Sequence, residues 1–185
     1  MAPLRFDRAR IEAFLTLASE QLEGEWLLIG GAAAAAWFSM ARTTEDVDLI
    51  GLAGTPGERL ALMNLAGHAG LPVEAVNSAA DFFVRRIDGW RDEIVPLVRG
   101  PRATVYRPTA TLFLLLKVER LTAIDLDDCT ALLEHCATTN ELVDRERVRA
   151  RLCELPPTAV AGQQQRRASL EARLRSPPPP RPPGD

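Results

Sequence analysis

A chain of 185 residues with 22 basic and 25 acidic side chains carries a net charge of −3. That length encloses a core as one domain, or one domain with an appendage, and the charge gives no global pull towards nucleic acid, although a local basic groove stays open. Cys129, Cys136 and Cys153 are odd in number and lack CxxC spacing, so they point to small buried residues of a helical half rather than to disulfides or zinc. The alanine-rich run at 32–41 falls well short of the ~20 apolar residues of a membrane span, and no signal peptide is evident. The expectation is a cytoplasmic chain with no membrane partner.

Residues 8–22 place Ile11, Phe14, Leu15, Ala18 and Leu22 at three- and four-residue steps, an amphipathic helix with Asp7 as N-cap. A buried strand follows at about 25–29, then Gly30-Gly31 and a helix expected at about 32–41. The next strand carries Asp46 and Asp48. Residues two apart on a strand share a face, so the two carboxylates point together, with Thr44 nominally beside them and Val47 and Leu49 turned away. Paired carboxylates repel unless a cation sits between them, and hard oxygen ligands suit Mg²⁺ bound together with substrate phosphates. Glycines without Cβ let a phosphate approach the backbone, and the N–H groups that open a helix can face it. Arg42 either pairs with phosphate or orients one of the carboxylates. The plain alternatives are a strand-to-helix turn at the glycines and a solvated edge at the acids; the buried character of Val47, Leu49 and Ile50 argues against the second.

A Gly/Pro loop at 52–56 leads to a helix at 57–69, where His68 reads as a cation at the helix end. A short strand is expected at 73–76. Residues 80–87 have strand-like composition with imperfect alternation, and Arg85 and Arg86 either line an approach for nucleotide or nucleic acid or are solvated. The chain returns through 89–98, and 103–106 reads as the last strand. Residues 109–121 form a strongly apolar helix, and Lys117 among its leucines either snorkels to water or meets an anion. Asp125 and Asp128 lie three apart on one face of the following helix. They serve as helix-start acids or pair with Lys117. Arg145, Arg147, Arg149 and Arg151 give residues 144–155 a basic, salt-bridged helix. Pro156-Pro157 stops it, a polar helix is expected at 160–175, and 176–185 is expected to be disordered or polyproline II.

Gly30-Gly31 followed by Arg42-x-Thr44-x-Asp46-x-Asp48-Leu49 resembles the signature of the polymerase-β-type nucleotidyltransferases. More narrowly it is similar to the small bacterial AbiEii-like and DUF6036 groups, many of them toxins of toxin–antitoxin pairs. The likeness spans roughly residues 20–135 and includes Lys117, Asp125 and Asp128. In those groups an Arg often precedes the Asp pair, where this chain has Ile124. The resemblance implies a third carboxylate on a later strand, with Asp81 and Asp88 as candidates. Asp81 is preferred, because Phe82 and Phe83 continue a strand while Asp88-Gly89 reads as a turn.

The expected architecture is α/β: a small mixed β-sheet nucleotidyltransferase core flanked by helices, with a helical C-terminal half covering the nucleotide. The domain is expected over 1–155, with its sheet core at about 20–107 and its helical part at about 108–155. Residues 156–185 would hold the polar helix and the proline-rich tail. By the same resemblance Asp46 and Asp48, with Asp81, hold two Mg²⁺ ions about 3.5–4 Å apart. Gly30, Gly31, Arg42, Thr44 and Lys117 bind a nucleoside triphosphate. The acceptor would be RNA, such as a tRNA 3′ end, or a protein side chain, and a separate antitoxin protein would restrain the activity. Two other readings remain: a module or antitoxin that keeps the pocket without turnover, and a small-molecule nucleotidyltransferase of the aminoglycoside-modifying kind.

Overall fold

The computed structural model describes residues 4–176. The chain forms two compact units that divide between Pro108 and Thr109. The first holds a five-stranded mixed sheet and the second is helical, an α/β architecture with a helical C-terminal half.

In the first unit, α1 (Arg8–Gln21) starts at Asp7, whose carboxylate accepts the N–H of Arg10 at 2.9 Å. Strand β1 (Gly24–Ile29) is the centre of the sheet, and Trp26, Leu27, Leu28 and Ile29 are all buried although they alternate between its faces. The strand order is β3-β2-β1-β5-β4. Here β2 is Val47–Gly51, β3 Val76–Asn77, β4 Ile94–Arg99 and β5 Ala103–Pro108. Strand β1 runs antiparallel to β2 and parallel to β5, which fixes the register Ile29 opposite Asp48. Helix α2 (Gly30–Trp37) packs on β1 and β2, and its five alanines are all buried. Helix α3 is Gly57–His68.

Three local expectations are corrected. Helix α2 begins at Gly30 and ends at Trp37, not at about 32–41. The glycines are its first turn, and the N–H groups of Phe38 and Ser39 both close on the Ala34 carbonyl, which ends it early. Residues 73–75 form a 3₁₀ turn ahead of a two-residue strand. Residues 80–87 hold a short helix, α4 (Asp81–Arg85), instead of a strand. An i,i+4 ion pair from Arg85 to Asp81 at 2.8 Å suits a helix, and only Val84 of α4 is buried, so Phe82 and Phe83 had no sheet face to fill.

The second unit contains α5 (Ala110–Val118), α6 (Ala123–Thr139), α7 (Arg145–Glu154) and α8 (Gln163–Arg175). Thr109, Thr122 and Asp144 cap the first three, each accepting a backbone N–H of the first turn. The polar helix expected as part of an appendage packs on α6 and α7 as α8. Leu170 and Leu174 are buried, and Arg145 donates to the carbonyls of Arg173, Leu174 and Ser176 at its end. The proline-rich segment lies outside the described residues from position 177 onwards. Among the described residues no helix is long and apolar enough to cross a membrane.

Candidate functional site

Because β1 and β2 are antiparallel with Ile29 opposite Asp48, the residue that follows β1 and the residues that open β2 meet at one end of the sheet. Gly30 turns the chain there with φ +68°, a left-handed conformation that disfavours any residue with a Cβ. The Asp48 carboxylate fills the space beside it, with Oδ2 2.7 Å from where a Gly30 Cβ would stand. Gly31 faces a second pair of groups. The Arg42 Nη2 and the Thr44 Oγ1 each lie 2.9 Å from its Cβ position. Both glycines therefore leave room that the site's own side chains use.

Thr44 is pinned by a two-way backbone pairing with Phe6, at 2.8 and 3.0 Å. Its hydroxyl donates to Asp46 Oδ1 at 3.1 Å, so the two residues do share a side as their spacing implies. Asp46 stands just before β2 and is exposed, while Asp48 is half-buried. Arg42 also donates through Nη1 to the Thr43 carbonyl. Gly30, Gly31, Arg42, Thr44, Asp46 and Asp48 are thus gathered at the N-terminus of α2, whose first-turn N–H groups add a partial positive charge. Ile29 at the N-cap contributes no side-chain hydrogen bond to that turn.

This donor set, the oxygens of Asp46 and Asp48, is of the kind a hard cation takes. Mg²⁺ commonly takes one or two carboxylates and completes its shell with phosphate and water. It does not supply a third acidic ligand: among the described residues no group of three His, Cys, Asp or Glu stands where it could hold a metal. Asp81, expected beside the pair on a strand, opens α4 and binds Arg85, which also donates to the Gly51 carbonyl at the opposite end of β2. Asp88 is an exposed residue in the turn before Trp90. The residue that the sheet sets opposite Asp48 on β3 is Asn77, a neutral amide.

The other candidates meet within the helical unit. Lys117, 7 % exposed, donates to Asp125 at 2.7 Å and to Asp128 at 3.0 Å. Arg120 adds two bonds to Asp125, at 2.9 and 3.0 Å. Asp125 is fully buried and also closes a capping box with Thr122. Burial alone would raise its pKa, but the hydrogen bonds from Arg120 and Lys117 outweigh it and hold the carboxyl well below the usual carboxylate range. Arg120 was missed in the sequence. It supplies, from the end of α5, a guanidinium partner to the acid pair that Ile124, exposed on α6, does not. The signal was available in the run Lys117-x-x-Arg120, which puts both cations on the turn before the acids. Cys129 is buried near the same cluster, and burial pushes its thiol pKa well up. Cys136 is buried too, whereas Cys153 is exposed, against expectation.

Comparison with family models, curated proteins and solved structures found no match to this chain.

Proposed function

We propose that the first unit is a Mg²⁺-dependent nucleotidyltransferase site that moves a nucleoside monophosphate from a nucleoside triphosphate to an acceptor hydroxyl. The observation that carries this reading is the placement of Asp48 against Gly30 and of Thr44 and Arg42 against Gly31, with Asp46 tied to Thr44. Carboxylates, hydroxyl, guanidinium and helix N–H groups lie around one turn of the chain, a mix that suits a metal-bound triphosphate. The family resemblance of the motif supports the same reading. Asp46 and Asp48 would hold the cation. Bound there with the triphosphate, Mg²⁺ offsets phosphate charge and favours ionisation of the attacking hydroxyl. Gly31 leaves the room that Thr44 and Arg42 use at the helix N-terminus, and those two side chains would orient the phosphate oxygens. The acceptor oxygen bonds to the α-phosphorus as the bond to the bridging oxygen breaks. Pyrophosphate leaves with the electron pair, and the hydroxyl proton passes to solvent. The resemblance points to RNA, such as a tRNA 3′ end, or a protein side chain as acceptor, in a system restrained by a partner protein.

The lack of a third acidic ligand among the described residues favours a second reading, a module that binds nucleotide without turnover. Incubation with each α-labelled nucleoside triphosphate, Mg²⁺ and bulk tRNA or cell protein separates the two. Covalent label that disappears with Asp46→Ala supports the transferase. Nucleotide retained with no label transferred supports the module, and neither binding nor transfer contradicts both.

A further inference from the structure

We infer that the pair of helices α7 and α8 is a docking surface for single-stranded nucleic acid, gripped through its phosphate backbone. The inference stands on the helical unit alone and makes no use of the nucleotide site.

Between positions 144 and 175 the chain has eight arginines and four acids, an excess of four positive charges in a protein whose net charge is −3. The pairing within the structure sharpens that excess. Arg151 binds Glu119 and Glu154, and Arg175 binds Glu171. Asp144 is engaged at the start of α7, where its carboxylate accepts the Arg147 N–H. The guanidinium groups of Arg145, Arg149, Arg166, Arg167 and Arg173 have no carboxylate partner among the described residues.

Three of these arginines mark the line along which the helices meet. Arg145, the first residue of α7, donates to the carbonyls of Arg173, Leu174 and Ser176 at the end of α8. Arg167, in the second turn of α8, donates to the Pro156 carbonyl just past α7 at 2.7 Å. The two helices therefore run side by side in opposite directions, with a cation at each end of the contact. Arg149 stands one turn, about 6 Å, beyond Arg145 on the same face of α7. Its Nε and that of Arg167 have no hydrogen-bond acceptor. A carbonyl takes a hydrogen bond but has no formal charge, and a guanidinium carries five N–H groups, so the row keeps both charge and donors to offer. Phosphate meets both, since its oxygens match the planar fork of arginine.

The surroundings decide among polyanions. No large hydrophobic side chain of α7 or α8 is exposed, so neither helix has an apolar row to enter a lipid surface. Residues 144–175 include no aromatic side chain, which removes the usual anchors of a protein interface and any platform for base stacking. Helix α7 packs on α5 and α8, and α8 packs on α6 and α7, so neither is free to enter the groove of a duplex. A flexible strand can instead follow the half-buried guanidiniums of Arg145 and Arg149 along the seam. The contact is with the backbone and is independent of sequence.

The test is fluorescence anisotropy of the full chain with labelled oligo(U), oligo(dT) and a duplex of the same length, across a salt series and without nucleoside triphosphate or divalent ion. The two single strands should bind alike, more tightly than the duplex, and more weakly as salt rises. Arg149→Gln with Arg173→Gln should lower the slope of log affinity against log salt by about 1.4, at about 0.7 per phosphate contact. Arg173→Gln alone, at an exposed position, should lower it by about 0.7 and serves if melting shows the double variant unfolded. Arg175→Gln, whose charge Glu171 already balances, should change affinity by less than about twofold. Tighter binding of the duplex, no salt-dependent binding of either strand, or an equal effect of the Arg175 and Arg173 variants would overturn the inference. Nucleotide titration of the same variants reads the other site separately, so the failure of one reading leaves the other standing.

Discussion

The Asp48 carboxylate stands where a side chain on Gly30 would have to go, with Oδ2 2.7 Å from the Cβ position. Gly30 also has φ +68°, so alanine there meets two separate penalties. The backbone cost alone is about 1–2 kcal/mol. Gly30→Ala should therefore lower the melting temperature by several degrees, at roughly 2–4 °C per kcal/mol for a chain of this size. Gly31→Ala has no such backbone penalty. It should still lose some stability and bind nucleotide poorly, because the new methyl must displace Arg42 and the pinned Thr44, whose Oγ1 and Cβ lie 2.9 and 3.1 Å away. Calorimetry and nucleotide titration on the two variants check the difference.

Asp81 is committed to Arg85, and surface ion pairs of this kind contribute about 0–1 kcal/mol. Asp81→Asn should leave divalent-dependent nucleotide binding within about twofold of wild type and lower stability by less than about 1 kcal/mol. A loss of binding comparable with that of an Asp48 variant would show that Asp81 reaches the site in solution. Isothermal titration of both variants under the same conditions decides it.

The Lys117, Asp125 and Asp128 cluster should behave as a structural device of the helical unit. Removing one partner of a buried ion pair costs about 3–5 kcal/mol because it strands the other charge. Lys117→Met should lose stability in that range in urea unfolding at neutral pH. The pH dependence follows from Asp125, whose folded pKa lies below its unfolded value. Its contribution is fully present above the unfolded value of about 3.9 and is lost as pH falls below it towards the folded one. The stability gap between wild type and Asp125→Asn should therefore be widest at neutral pH and narrow below about pH 4. A gap that widens on acidification would contradict the ion-pair account.

The thiols give an independent check on the helical unit. Cys153 is exposed while Cys129 and Cys136 are buried, and burial raises the Cys129 thiol pKa so that little reactive thiolate forms. A thiol reagent at neutral pH should modify Cys153 rapidly and the other two only after denaturation. Fast reaction of all three in the native protein would be inconsistent with the packing of α6.

Much of the fold is legible in the sequence wherever pattern and local chemistry agree. Asp7, Thr109 and Thr122 mark helix starts, and the apolar runs of β1 and α5 are buried as their composition implies. The turn at Gly30-Gly31 and the placing of Thr44 beside Asp46 follow from short-range rules, whereas the antiparallel pairing of β1 with β2 is what brings Asp48 to Gly30. Reading failed where burial, not composition, decides. Phe82 and Phe83 look like strand residues, yet their segment has an ion pair at helical spacing and only one buried side chain, so it coils into α4. Helix α2 starts two residues ahead of the expectation, because glycine is a poor helix former in general but here fills the first turn. Arg120 escaped because its partner, Asp125, is brought to it by the turn between α5 and α6, which no periodicity reveals.

The proposed site is tested most directly by comparing wild type with Asp48→Asn in an assay of α-labelled nucleoside triphosphate and candidate acceptors across a Mg²⁺ titration, with melting temperatures recorded in parallel. Covalent labelling should rise with Mg²⁺ in the wild type. It should fall by at least about 100-fold in the variant, as expected for a group that holds a metal worth several kcal/mol to the transition state. Equal labelling of the two proteins, or labelling and nucleotide binding that ignore Mg²⁺, would contradict the assignment of the paired aspartates at the double glycine as the metal and triphosphate site.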